Sequence, residues 1–153
     1  MNDKNLTEDQ INHKKMGIEY FNYTWELIDK ETRSQDEIDE MIHAAHASRF
    51  HWGKLNQAIN NERGEWQISR VYSILKRFEP ALYHAQRCLD ICLKNKISDF
   101  DIAFAYEAIA RAYVIKNDKI NEEKYLKLAK EAGDKITQKE DKEYFFSELK
   151  TII

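Results

Sequence analysis

Two five-residue segments of this chain match one another: I-S-R-V-Y at 68–72 and I-A-R-A-Y at 109–113, 41 residues apart. Ile68 matches Ile109, Ser69 matches Ala110, Arg70 matches Arg111 and Tyr72 matches Tyr113. Such self-similarity constrains the fold more than any other feature. A unit of this size cannot bury its apolar face alone, so it must stack on its copy. The small residue at Ser69 and Ala110 lets two helices approach closely. With only 4 Gly and 1 Pro in 153 residues, there is little material for the turns of a sheet. Leu, Ala, Glu and Lys favour helices instead. The aromatic share of 12% is too high for a disordered chain. The expectation is one all-α domain over 1–153, a short α-α superhelix of antiparallel helix pairs with about seven helices.

Apolar spacing places these helices. The first runs from about Ile11 to Lys30, with Ile18, Phe21, Trp25 and Ile28 on its apolar band, widened by Tyr20, Tyr23 and Leu27. Residues 1–10 are polar and are expected to fray. Ser34 with Glu37 has capping-box spacing and opens a second helix that reaches Trp52. The third covers about Glu62–Lys76. Pro80 suits the first position of the fourth, which ends near Lys94. Ser98 or Asp99 is placed to cap the fifth, about Phe100–Ile115. The sixth spans about Asn121–Ala132, with Gly133 as its stop. A last helix over 139–153 reads as a cap on the final hairpin.

The large–small–aromatic series Ile68, Ser69, Tyr72 followed by Ala81 resembles the tetratricopeptide repeat, with Ala85, Cys88 and Leu89 in the small and apolar places of the second helix. Ile109, Ala110 and Tyr113 repeat the first half. The second half of that copy fits only after a register shift, and the 41-residue spacing exceeds the usual 34 or so. The segments H-A-A-H-A-S-R and G-E-W-Q-I-S-R-V-Y also look like an uncharacterised bacterial family. The resemblance implies a stack whose first helices line a concave, ligand-facing side.

Charge and motifs narrow the function classes. A net charge of −3 with interleaved signs argues against nucleic-acid binding. No apolar stretch is long enough to span a membrane, and the polar start lacks a signal core. Cys88 and Cys92 lie four apart on one helix, not in a disulfide framework, so a cytoplasmic location is expected. Neither G-x-S-x-G, nor a phosphate-cradling glycine loop, nor C-x-x-C is present.

Candidate site residues follow from helical faces. Arg63, Trp66, Arg70 and Ser73 share one face of the third helix; Phe104, Glu107 and Arg111 share one of the fifth. Under the resemblance both sets are concave. Two arginines with planar apolar neighbours suit a carboxylate or phosphate, although Glu107 and Arg111 also have plain i,i+4 ion-pair spacing. Arg49 stands within an apolar face and needs a partner, with Glu65, Glu79 and Glu107 as candidates. His43, His46, Arg49 and Glu65 form an alternative site between the second and third helices. His84, Cys88 and Cys92 form a stripe at i, i+4 and i+8 that would hold Zn²⁺ only with a further ligand. Buried cysteines ordinarily act as small apolar residues, so neither a metal nor another cofactor is expected.

The leading expectation is a non-enzymatic module that binds a protein or peptide partner, capturing a carboxylate through Arg70 and Arg111 with Trp66 and Phe104 as anchors. A second reading is a small-molecule- or metal-binding protein, with hydrolysis as one option, at the His/Arg/Glu site. Self-association through an end of the stack is a third.

Overall fold

The computed structural model of the chain describes residues 6–152. Its helices are α1 (Glu8–Ile28), α2 (Gln35–Gly53), α3 (Ala58–Ile74), α4 (Phe78–Asn95), α5 (Phe100–Lys116), α6 (Lys119–Gly133) and α7 (Lys139–Leu149), with a 3-10 turn over Lys150–Ile152. No strand occurs among the described residues. Consecutive helices pack as the pairs α1–α2, α3–α4 and α5–α6, and each pair stacks on the next. α1, α3 and α5 also touch along the stack and form an inner row, while α7 lies on α5 and α6. No helix is long and apolar enough to cross a membrane, among the described residues.

Local chemistry explains most boundaries. Ser34 accepts from the Glu37 backbone N–H at 3.2 Å while Glu37 accepts from the Ser34 N–H at 2.9 Å, completing the expected capping box. Fraying was expected over 1–10; residues 1–5 lie outside the described residues, but α1 already begins at Glu8. The reason is a second capping box, between Thr7 and Gln10, at 3.2 and 3.0 Å. Pro80 is the third residue of α4, not the first, and still lies in the turn whose N–H groups lack helical partners. Asp99 holds the N-cap position of α5, but its side chain makes no capping bond. Its carboxylate instead accepts from the Thr137 N–H and hydroxyl, both at 2.8 Å, tying the start of α5 to the α6–α7 link. α6 does end at Gly133, but the glycine is in helical and not left-handed conformation. A Cβ there would lie 2.3 Å from a Phe145 ring carbon, so the glycine is what lets α7 approach α6. The left-handed positions that end α3, α4 and α5 are held by Lys76, Lys96 and Asn117.

The repeat shows its purpose in the core. Ile68, Val71 and Ile109 are fully buried, and each contributes about 1.5–3 kcal/mol by leaving water. Ser69 is buried at the α3–α4 contact, its hydroxyl donating to the Ala81 carbonyl at 2.8 Å. Ala110 holds the equivalent place with no exposed surface. α5 is buried on several sides, from Ala103 to Ala112, because α3, α4, α6 and α7 all pack on it. On α1 the buried line is Gly17, Thr24 and Leu27. Ile18 and Tyr23, read as part of its apolar band, are exposed, since that helix meets its neighbours on one flank only.

Candidate functional site

Two polar networks and two clefts account for the charged residues singled out above. The first network crosses α2, α3 and α4. Arg49 donates from Nε to Glu65 Oε1 at 2.8 Å and from Nη1 to Asn61 at 3.1 Å. Of the three candidate partners, Glu65 is the one that pairs with it. Gly64 allows this: a Cβ at that position would stand 2.8 Å from Arg49 Cδ and 3.3 Å from its Cα. The other Glu65 oxygen meets His84 Nδ1 at 2.6 Å, and His84 stacks on Tyr72 with ring centroids 6.0 Å apart. His46 reaches the Tyr72 hydroxyl at 3.0 Å. Burial pushes the Glu65 carboxyl up, but His84 and then Arg49 more than reverse this and hold it below the usual value. Burial, followed by the nearby His84, lowers the pKa of His46. Of the alternative His/Arg/Glu set, Arg49, Glu65 and the exposed His46 belong to this network, whereas His43, also exposed on α2, lies outside it. His84 serves this network as well, which separates it from the stripe it forms in sequence with Cys88 and Cys92.

The second network lies on the inner row. Glu107 has no exposed surface; one of its oxygens accepts from Arg111 Nε at 2.8 Å and stands 3.6 Å from Arg70 Nη2. Arg70 also donates to Glu148 Oε2 at 3.0 Å, and Arg111 donates to the Glu148 carbonyl at 3.2 Å and the Thr151 hydroxyl at 2.8 Å. The two arginines that were expected to capture a partner's carboxylate are therefore paired within the chain. α7 and the turn after it supply what a ligand would have supplied.

The expected continuous groove is divided by this closure. Arg70, Ser73 and Arg111 line one cleft with Thr151 and Ile152, beyond the Glu148 contact. Arg63, Trp66 and Phe104 line the other, about 390 Å³ in volume, together with Phe21, Trp25, Phe100 and Tyr144. In this second cleft Trp66 lies 5.7 Å from both the Trp25 and the Phe104 ring centroids. Phe100 lies 4.7 Å from Phe104, and Tyr144 lies 5.9 Å from it. The guanidinium of Arg70 sits over the Trp66 ring at 5.2 Å. Asp101 and Asp141 bring carboxylates to the same cleft.

Asp101 is gripped by Arg63 through two hydrogen bonds, at 2.8 and 3.2 Å. Beside it Glu62, buried at 1% exposure, faces α4. Cys88 Sγ donates to Glu62 Oε2 at 3.2 Å, and Cys92 Sγ lies 3.8 Å from the same oxygen. Burial, then the charge and hydrogen bond of Asp101, push the Glu62 carboxyl up to about 9, so at neutral pH it holds its proton.

Sequence reasoning missed Glu62, Asp101, Trp25, Phe100 and Tyr144. A signal existed for Glu62: it stands one helical turn before Trp66 and two before Arg70, on the same stripe. Asp101 and Tyr144 left no comparable trace, because only the stacking of α5 and α7 brings them to α3.

No family model, curated protein or solved structure matches this chain.

Proposed function

We propose that this protein is a non-enzymatic, tetratricopeptide-like binding module that holds a peptide segment of a protein partner on its inner row, with a basic side chain of that segment in the aromatic cleft. One observation carries the reading: six aromatic rings from α1, α3, α5 and α7 surround a single cleft that also receives Asp101 and Asp141. Its volume of about 390 Å³ falls within the range of ligand pockets. Aromatic faces attract cations through their quadrupole, by about 0.5–2 kcal/mol per contact. Trp66 already holds one cation, Arg70, in this way.

Charge supports the same choice. Arg63 is neutralised by its two-pronged bond to Asp101, and Glu62 is protonated, so Asp141 leaves the cleft with one uncompensated negative charge. A carboxylate-bearing segment would meet arginines already engaged by Glu107 and Glu148. The free, buried cysteines suit a reducing compartment such as the cytoplasm.

Trp25 and Trp66 report on the cleft, so their fluorescence provides the test. Peptides of one length bearing central Arg, Lys, acetyl-lysine or Glu are titrated into the full chain. Saturable quenching by the Arg and Lys peptides is expected, with acetyl-lysine and Glu weaker by at least about tenfold. Asp141→Asn, at an exposed position, should reduce that preference without altering far-UV circular dichroism. Equal responses to basic and acidic peptides would sink the assignment.

A further inference from the structure

The Glu62 cluster has a geometry that a peptide-binding cleft does not require. Among the described residues, only Glu62, Cys88 and Cys92 place three metal-ligating atoms all within 4.8 Å of one another. We infer that these three side chains form a binding site for a thiophilic divalent cation, with Zn²⁺ the ion whose coordination they fit.

The distances carry the assignment. A tetrahedral Zn²⁺ with sulfur at about 2.3 Å and oxygen at about 2.1 Å separates neighbouring ligand atoms by roughly 3.4–3.8 Å. The two sulfur-to-oxygen separations here are 3.2 and 3.8 Å. Only small side-chain adjustments would seat the ion. The ligands stand on α3 and α4, the two helices of one hairpin, and Cys88 and Cys92 are one turn apart on the same face. Their backbone is thus set by the pairing of these helices before any metal arrives.

Burial and composition support the site independently. Both cysteines have no exposed surface, and the buried Glu62 Oε1 accepts no hydrogen bond, with Arg63 Nε at 3.6 Å as its ion-pair neighbour. A buried oxygen of this kind is normally satisfied by a partner or a ligand. Two thiolates favour Zn²⁺ over Mg²⁺ or Ca²⁺, and the carboxylate disfavours Cu⁺. Loading releases three protons to solvent, one from each thiol and one from the Glu62 carboxyl, so one Zn²⁺ with three anionic ligands leaves the site with a net charge of −1. Glu62 and Asp101 line the aromatic cleft, which provides the route of entry. The Arg63 guanidinium, which also holds Asp101, is placed to offset the negative charge of the loaded site.

The test uses the full chain expressed in metal-controlled medium, so that the ion is present as the core closes. With Zn²⁺ supplied, one equivalent per chain should survive gel filtration. With Co²⁺ supplied instead, a sulfur-to-cobalt charge-transfer band and the visible bands of tetrahedral cobalt should appear. Cys88→Ala with Cys92→Ala should abolish the band. Glu62→Gln should leave the helical content intact and weaken Zn²⁺ by at least about tenfold in competition with a chromophoric chelator. Metal retained equally by the double cysteine variant, or a wild-type chain with neither stoichiometric Zn²⁺ nor a thiolate–cobalt band, overturns the assignment. Failure here leaves the peptide-binding reading untouched, because its readout is fluorescence with metal-free protein.

Discussion

Arg70 Nη2 donates to Glu148 Oε2 at 3.0 Å, joining α3 to α7 across 78 residues of sequence. This bond, with the Arg111 contacts beside it, seats the C-terminal turn on the inner row and divides that row into two clefts. Glu148→Ala should therefore loosen α7 selectively. Glu148 keeps 27% of its side-chain surface and Arg70 retains Glu107, so the expected loss of global stability is only about 1 kcal/mol. Amide exchange in α7 should accelerate while α3 and α5 keep their protection. Unchanged exchange in α7 would show that Phe145 and Leu149 alone hold the helix.

Glu107 is a different matter. It is fully buried and is the shared carboxylate of Arg70 and Arg111. Glu107→Ala leaves two mostly buried guanidinium groups short of their shared partner, with Glu148 and Thr151 still bonded to them, and should cost about 2–3 kcal/mol. Glu107→Gln preserves shape and one acceptor, and should cost less. Urea denaturation of the two variants measures the difference, and equal midpoints would contradict the role given to the charge.

Stability of the metal-free chain should be greatest between about pH 4.5 and 6.5 and fall on both sides. On the acid side, His46 and Glu65 both have folded-state pKa values below their ordinary ones. Groups of that kind contribute stability that is present above the unfolded pKa and is lost as pH drops through the folded one. His46 begins to act below 6.5 and Glu65 below 4.5. Glu62 has the opposite sign: raised from 4.5 to about 9, it contributes fully below the lower value and is lost as pH rises toward the upper. One proton of difference gives a slope of at most about 1.4 kcal/mol per pH unit. Thermal unfolding from pH 4 to 9, about the span of these groups, should show the maximum. In Glu62→Gln the alkaline limb should flatten while the acid limb stays.

Gly64→Ala tests the contact between α2 and α3. Alanine should gain up to about 1 kcal/mol of helix propensity at this position. Its Cβ, however, would meet Arg49 Cδ at 2.8 Å and the Arg49 Cα at 3.3 Å. Overpacking of this kind costs about 1–3 kcal/mol, so a net destabilisation of about 1 kcal/mol is expected from a denaturant midpoint. A stabilised variant would show that Arg49 moves aside freely and that its bond to Glu65 matters little.

Much of the architecture was readable before any coordinates. Helical periodicity is local, so the spacing of Ile68, Val71 and Tyr72, and of Ala81, Ala85, Cys88 and Leu89, places α3 and α4 with their buried faces. The Ser34–Glu37 box marks the start of α2 for the same reason: both partners lie within one turn. The copy of Ile68–Tyr72 at Ile109–Tyr113 adds the stacking rule.

What the sequence could not decide is which charge meets which. Arg49 required an anion, but Glu65, Glu79 and Glu107 were equally eligible until the crossing at Gly64 selected Glu65. Arg70 and Arg111 looked available to a partner because nothing local reveals that Glu148 arrives from 78 residues away. Cys88 and Cys92 formed a stripe with His84, yet the α3–α4 pairing turned the two sulfurs to Glu62 and sent His84 to Glu65. Helix position follows from short-range hydrogen bonding and apolar spacing. Electrostatic partnership depends on distances of a few ångströms between separate helices, and only the packed stack sets those.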